Sequence, residues 1–149
     1  MIVGLGNPYR RDDAVGPVML ERLDDLDTYF CQGDPLGLMT ALDDHAVVII
    51  VDAVLGNQPG RIHRWQWGQT PPELLTTRLS SHSLPLLTTL KLMEKQNRLP
   101  EHTVVYAVEA EDFSMGVGFS PEVEAALPEL ERRIREEIGP FHPEDPVDE

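Results

Sequence analysis

Ala46-Val47-Val48-Ile49-Ile50-Val51-Asp52-Ala53-Val54 is the stretch whose character decides the fold. It is short, unbroken in its apolar run up to Asp52, and rich in β-branched residues. A half-buried strand would alternate apolar with polar, whereas a central strand covered on both faces need not. Working outward, Met1 to Leu5 is a second short apolar run that stops at Gly6-Asn7-Pro8, and Thr103 to Val108 is a third. Thr28 to Cys31 and the weakly alternating Arg61 to Trp67 add two more candidate strands, the last an edge strand. Helical spacing falls between them. Val15, Met19, Leu23 and Leu26 share one stripe, and Pro17 confines the helix start to the vicinity of Asp13. A short helix is expected over 36–42, and another over 84–97 with Leu86, Leu87, Leu90 and Met93 inward. A last helix opens at Ser120-Pro121, with Ser120 as N-cap, and carries Val123, Leu127, Leu130, Ile134 and Ile138. Pro128 should kink that helix or break its first turns. Strands alternating with helices predict an α/β single domain. Its sheet is mixed but mostly parallel, twisted, of about five strands, with helices on both faces.

The chain has 149 residues, one domain's worth, and 41% of them are hydrophobic. Residues 1–138 are assigned to the domain. Residues 139–149, with three prolines and four acids, are expected to form a disordered acidic tail. Twelve basic against 26 acidic side chains give a formal charge of −14. Phosphate-backbone binding needs Lys and Arg to displace counterions, so nucleic acid is excluded as a partner, and an anionic membrane surface is too. No run is long enough for a membrane span, and no signal peptide is visible at the N-terminus. A single cysteine, Cys31, cannot form an internal disulfide, and a cytoplasmic location is expected. Its apolar surroundings predict a buried, inert thiol.

In open α/β sheets ligands gather at the carboxyl ends of the strands, which directs attention to Gly6–Asp13 and to Asp52. Gly4-Leu5-Gly6-Asn7 invites a dinucleotide reading, but the third glycine of that fingerprint falls on Tyr9, and Asp12 and Asp13 would repel a pyrophosphate. The acidic pair can also be read as ordinary helix-start acids. Asp52 is harder to dismiss, because an acid ending an apolar central strand is costly unless bonded or ligated. His82 lies in the polar segment Ser80-Ser81-His82-Ser83, just before a helix. Asp13, Asp52 and His82 can converge on one rim of such a sheet as an oxygen/nitrogen set for a divalent ion, with positions open for a substrate. A serine-hydrolase elbow and a paired-histidine zinc motif are both absent from the sequence. Trp65 and Trp67 are expected to pack in the core, and His45, His63, His102 and His142 to lie on the surface. Arg10 and Arg11 are expected either to meet a substrate or to neutralise Asp12.

Four segments together resemble the hydrogenase maturation proteases, which trim the C-terminus of the [NiFe]-hydrogenase large subunit after nickel insertion. They are residues 4–16, Val51-Asp52-Ala53, Ser80–Leu84, and Val108–Phe113 with Gly118–Pro121. The resemblance implies a phosphorylase/hydrolase-like α/β fold and an endopeptidase. It implies Asp13, Asp52 and His82 as metal ligands and catalytic residues. The metal it implies is nickel supplied by the substrate, with no permanent cofactor. The partner it implies is the large-subunit precursor. The metal's role stays open between a recognition element and a Lewis acid. Many members carry an Asp-Gly-Gly-Thr-like turn where this chain has Gln32-Gly33-Asp34-Pro35-Leu36-Gly37. Members serving cytosolic multisubunit hydrogenases often have a Gly-acid pair there instead. Two other readings stand beside this one. Peptidyl-tRNA hydrolases share the Gly-Leu-Gly-Asn-Pro opening, but they need a basic RNA face and place a histidine segment where this chain has acids. A non-cleaving module that escorts a metalloprotein would use the same three residues.

Overall fold

The computed structural model of the chain describes residues 1–70 and 83–141. Five strands form one sheet: β1 (Ile2–Gly4), β2 (Thr28–Phe30), β3 (Val47–Leu55), β4 (Ile62–Gln66) and β5 (His102–Ala110). Their order is β2-β1-β3-β5-β4, parallel throughout except for β4, which runs antiparallel to β5 at the edge. The expected mixed, mostly parallel sheet is therefore observed. β3 lies at the centre, paired over its whole length with β5, and Val47 to Val54 are all buried. Two-sided cover explains why its sequence does not alternate.

Helices cover both faces. On one face α1 (Val15–Arg22) and α4 (Pro121–Ile138) pack Val15, Met19, Leu127, Leu130 and Ile134 against Ile49, Val51, Tyr106 and Val108. On the other, α2 (Pro35–Leu42) and α3 (Ser83–Lys95) pack Leu38, Leu42, Leu90 and Met93 against Val3, Ile50 and Val105. Trp65 and Trp67 pack against this second core, as expected, with their indole N–H groups donating to Gln69 O and Glu94 Oε2. Cys31 is buried there as well. Among the described residues no helix is long and apolar enough to cross a membrane.

Several expectations need correction. The helix expected from Asp13 is preceded by a 3-10 turn, Arg11–Ala14, and α1 ends at Arg22, so Leu26 lies beyond it. Pro17 does fall in the first turn of α1. α4 runs through Pro128 without interruption, because Leu127 and Leu130 on either side are buried against the sheet and hold the helix across the missing bond. His63 and His102 are not free surface side chains: their Nε2 atoms lie 2.8 Å from Glu109 and 2.7 Å from Glu137. Gly139–Phe141 form a further 3-10 turn, and the Phe141 ring sits 5.1 Å from that of His102. Residues 142–149, including His142 and the remainder of the expected tail, lie outside the described residues.

Glu137 ties α4 to β4 and β5. It accepts from Arg64 Nε at 2.7 Å and from the Tyr106 hydroxyl at 2.7 Å, with His102 alongside. The Arg64 hydrogen bond outweighs burial and holds the Glu137 carboxyl down at about 2, while burial and Glu137 push Tyr106 up to about 12. A carboxyl held below its unfolded value stabilises the fold above that value, and the contribution is lost as pH falls through the folded one. Glu137→Gln should therefore cost on the order of 2 kcal/mol at pH 7, allowing for partial solvent screening. Urea titrations of both proteins between pH 7 and pH 3.5 should show the gap narrowing below about pH 5. A gap that stays constant over that range would show that the carboxylate charge is not what Glu137 contributes.

Candidate active site

The strand order reverses direction between β1 and β3: the connection from β1 leads outward to β2, and the chain then returns to the other side of β1. The crevice outside the carboxyl ends of such a strand pair is where open α/β sheets bind ligands. Asp52 stands near the carboxyl end of β3. The pairing of Gly4 with Val51, extended by the Leu5 N–H to Val51 O bond of 3.0 Å, sets Leu5 beside it. Alternation along β3 directs Asp52 to the α2/α3 face, with Val48 and Ile50. It is buried, and the Ala53 N–H donates to its Oδ1 at 2.8 Å.

Asp13 reaches the same rim from the loop that follows β1. Its 3-10 turn packs against β3, and the Asn7 N–H donates to its Oδ2 at 3.0 Å. Gly6 makes this wrap possible. Its φ is +122°, and a Cβ there would collide with the Asp13 carbonyl oxygen. The Gly6-Asn7 pair that looked like a fragment of a nucleotide fingerprint instead encloses a carboxylate. Asp13, in the turn after β1, and Asp52, on β3, therefore both lie at the carboxyl ends of neighbouring strands. His82, the third predicted residue, lies outside the described residues, directly ahead of α3. Among the described residues no three His, Cys, Asp or Glu side chains cluster closely enough to hold a metal ion. The described part of the predicted set is the two carboxylates.

The structure separates the two members of the acidic pair. Asp12 has no solvent exposure, and neither arginine neutralises it. Its carboxylate accepts from the backbone N–H groups of Glu111 (3.0 Å), Asp112 (3.1 Å) and Ser120 (2.8 Å), and from the Ser120 hydroxyl (2.6 Å). Asp12 thus sits at the N-terminus of α4, where backbone donors and the helix dipole favour an anion. The expected N-cap role of Ser120 changes accordingly: its hydroxyl donates to Asp12 rather than capping its own helix. Neither N-cap residue, Arg10 of the 3-10 turn or Ala14 of α1, makes a side-chain capping bond. Arg10 Nε donates to Phe113 O at 3.1 Å, and Arg11 Nε lies 3.7 Å from Asp112.

Glu109, near the carboxyl end of β5, is the fourth buried acid among the described residues. Burial raises its carboxyl, but hydrogen bonds from His63 and the Gln58 N–H outweigh that and hold it below the usual range. With its backbone bonded to Gly60 N and Arg61 O, Glu109 fastens the turn that follows β3. In the sequence Glu109 is one acid of the segment Val108–Phe113. Its pairing with His63 joins residues 46 apart, and no local spacing signals it. All four buried acids thus lie at the carboxyl rim: Asp12 and Glu109 fasten loops, and Asp13 and Asp52 stand beside the β1–β3 switch point.

Known proteins share this fold. The chain is 28% identical over 144 residues to the hydrogenase 2 maturation protease of Escherichia coli K12, covering 89% of this chain and 86% of that one. It superposes on the hydrogenase maturating endopeptidase HybD of E. coli with a TM-score of 0.79 at 23% identity, over 94% of this chain and 91% of the other. For the [NiFe] hydrogenase maturation protease HybD of Thermococcus kodakarensis the TM-score is 0.72 at 20% identity, over 91% and 95%. The family model described as hydrogenase maturation protease matches residues 33–137, well over half of the chain. By that match, this chain belongs to the hydrogenase maturation protease family.

Proposed function

We propose that this chain removes the C-terminal extension of a [NiFe]-hydrogenase large-subunit precursor, and that Asp13, Asp52 and His82 recognise the nickel already seated in that precursor. The observation that carries the reading is the placement of two buried carboxylates, Asp13 and Asp52, beside the switch point of a fold shared with maturation endopeptidases. Carboxylates at one rim suit a substrate group that carries positive charge. Carboxylate oxygens and one imidazole make a hard to borderline donor set. Such a set engages nickel without competing for it against thiolates, and the chain's own cysteine is buried in the core. The metal therefore stays with its owner and is read as part of the substrate. The Asn7 N–H orients the Asp13 carboxylate, and the Ala53 N–H orients that of Asp52.

The test is a cleavage assay on nickel-loaded and nickel-free precursor, read by the mass of the large subunit. Wild type should shorten only the loaded form, and Asp13→Asn and His82→Ala should fail to shorten either. Equal shortening of nickel-free precursor removes nickel recognition from the reading. Undiminished processing by both variants removes the site. An unchanged precursor mass with stable binding would turn the chain into an escort rather than a hydrolase.

A further inference from the structure

The loops after β1 and β5 are laced together beside Asp13 and present an apolar ridge that neither core uses. Tyr9, Met115 and Val117 are 65%, 71% and 81% exposed. The Gly116 N–H donates to Tyr9 O at 2.9 Å and the Arg11 N–H to Gly116 O at 3.2 Å, so Arg10 and Gly116 form a parallel bridge and Tyr9 lies opposite Met115. Gly116 has φ +144°, a backbone conformation that residues with a Cβ rarely adopt. The ridge is held in place from below by the four hydrogen bonds to Asp12, which anchor both ends of its loop, at Glu111–Asp112 and at Ser120.

Large apolar side chains kept in water on a clamped loop mark an interaction surface more often than an accident, and clamping removes the ordering cost of binding. The charge beside the ridge narrows the partner. In a chain with 12 basic against 26 acidic side chains, both Arg10 and Arg11 stand here. Among the described residues Arg10 makes no ion pair, its Nε being spent on a backbone carbonyl. We infer that Tyr9, Met115 and Val117, flanked by Arg10 and Arg11, dock an apolar segment bordered by carboxylates on the protein precursor whose scissile region enters the Asp13–Asp52 crevice. This rests on the reading that the chain processes a protein precursor.

The experiment measures binding apart from cleavage. Labelled nickel-loaded precursor is titrated into Asp52→Asn, and into Asp52→Asn carrying either Met115→Ser with Val117→Ser or Arg10→Glu. Because the ridge is exposed, melting temperatures should change by no more than about 2 °C. The apparent Kd should rise at least ~10-fold for the serine pair and by about 3- to 10-fold for Arg10→Glu, the latter shrinking with added salt. Leu92→Ser, an exposed apolar site on α3, should leave the Kd unchanged. An unchanged Kd for the serine pair overturns the inference. So does an equal loss from Leu92→Ser, or the absence of binding by Asp52→Asn up to about 100 µM. A wild-type dimer that the serine pair dissociates, at unchanged precursor affinity, overturns it in favour of a second copy of this chain. Failure of wild type to shorten the precursor strikes the hydrolytic reading alone, since docking is read from Kd.

Discussion

Replacing Asp52 by Asn should reduce precursor cleavage at least ~1,000-fold, a loss of about 4 kcal/mol of transition-state stabilisation. The substitution keeps the shape of the side chain and an oxygen for the Ala53 N–H bond, so what it removes is the negative charge at the end of β3. That charge has no role in the apolar packing of β3, whose neighbours Val51, Ala53 and Val54 fill the core without it. The variant should unfold at a temperature close to that of wild type, because the amide keeps the size of the side chain and the oxygen that accepts the Ala53 N–H. The measurements are a time course of large-subunit mass and a thermal melt. Cleavage within about tenfold of wild type would take Asp52 out of the chemistry. A collapse in melting temperature would instead make it a structural acid like its neighbour Asp12.

Asp12→Ala should produce the largest loss of stability of any single change at the rim, about 3–5 kcal/mol. It strands three backbone N–H groups and a hydroxyl that are turned toward one buried carboxylate. The stranded donors belong to the loop after β5 and to the first residue before α4, so the damage should be local as well as global. Hydrogen exchange of amides 111–120 should accelerate under conditions in which β3 stays protected. Asp13→Asn, one residue on, should show neither effect, since Asp13 accepts the Asn7 N–H through an oxygen that Asn can retain. An Asp12→Ala cost below about 1 kcal/mol would mean that water replaces the carboxylate and that the loop is not clamped.

Asp12 and Asp13 show where the reach of the sequence ends. As adjacent acids at a helix start they are equivalent in charge, size and local context, and the bland reading as helix-start acids fits both. The difference comes from residues about 100 positions away: Asp12 meets Glu111, Asp112 and Ser120, while Asp13 turns back to Asn7. His63 is the same kind of case. Isolated on a weak edge strand it reads as a surface histidine, and only pairing of β4 with β5 brings it to Glu109. Pro128 breaks a local rule that packing of Leu127 and Leu130 against the sheet overrides. Asp52, by contrast, was legible at once, because an acid in an apolar central strand is anomalous whatever surrounds it.

The sequence by itself determined the alternation of strands and helices, the centrality of 46–54, and the mostly parallel sheet with two covered faces. Those follow from hydrophobic period and run length, which act over a few residues and need no knowledge of distant partners. Only the tertiary structure decided that Asp12 and Glu109 fasten loops. It also showed that the arginines leave Asp12 to backbone donors, and that Tyr9, Met115 and Val117 form one exposed ridge. Those outcomes depend on which hydrogen-bond donors and side chains meet across 50 to 100 residues of chain, and the energy of a buried carboxylate is set by such partners rather than by its neighbours in sequence.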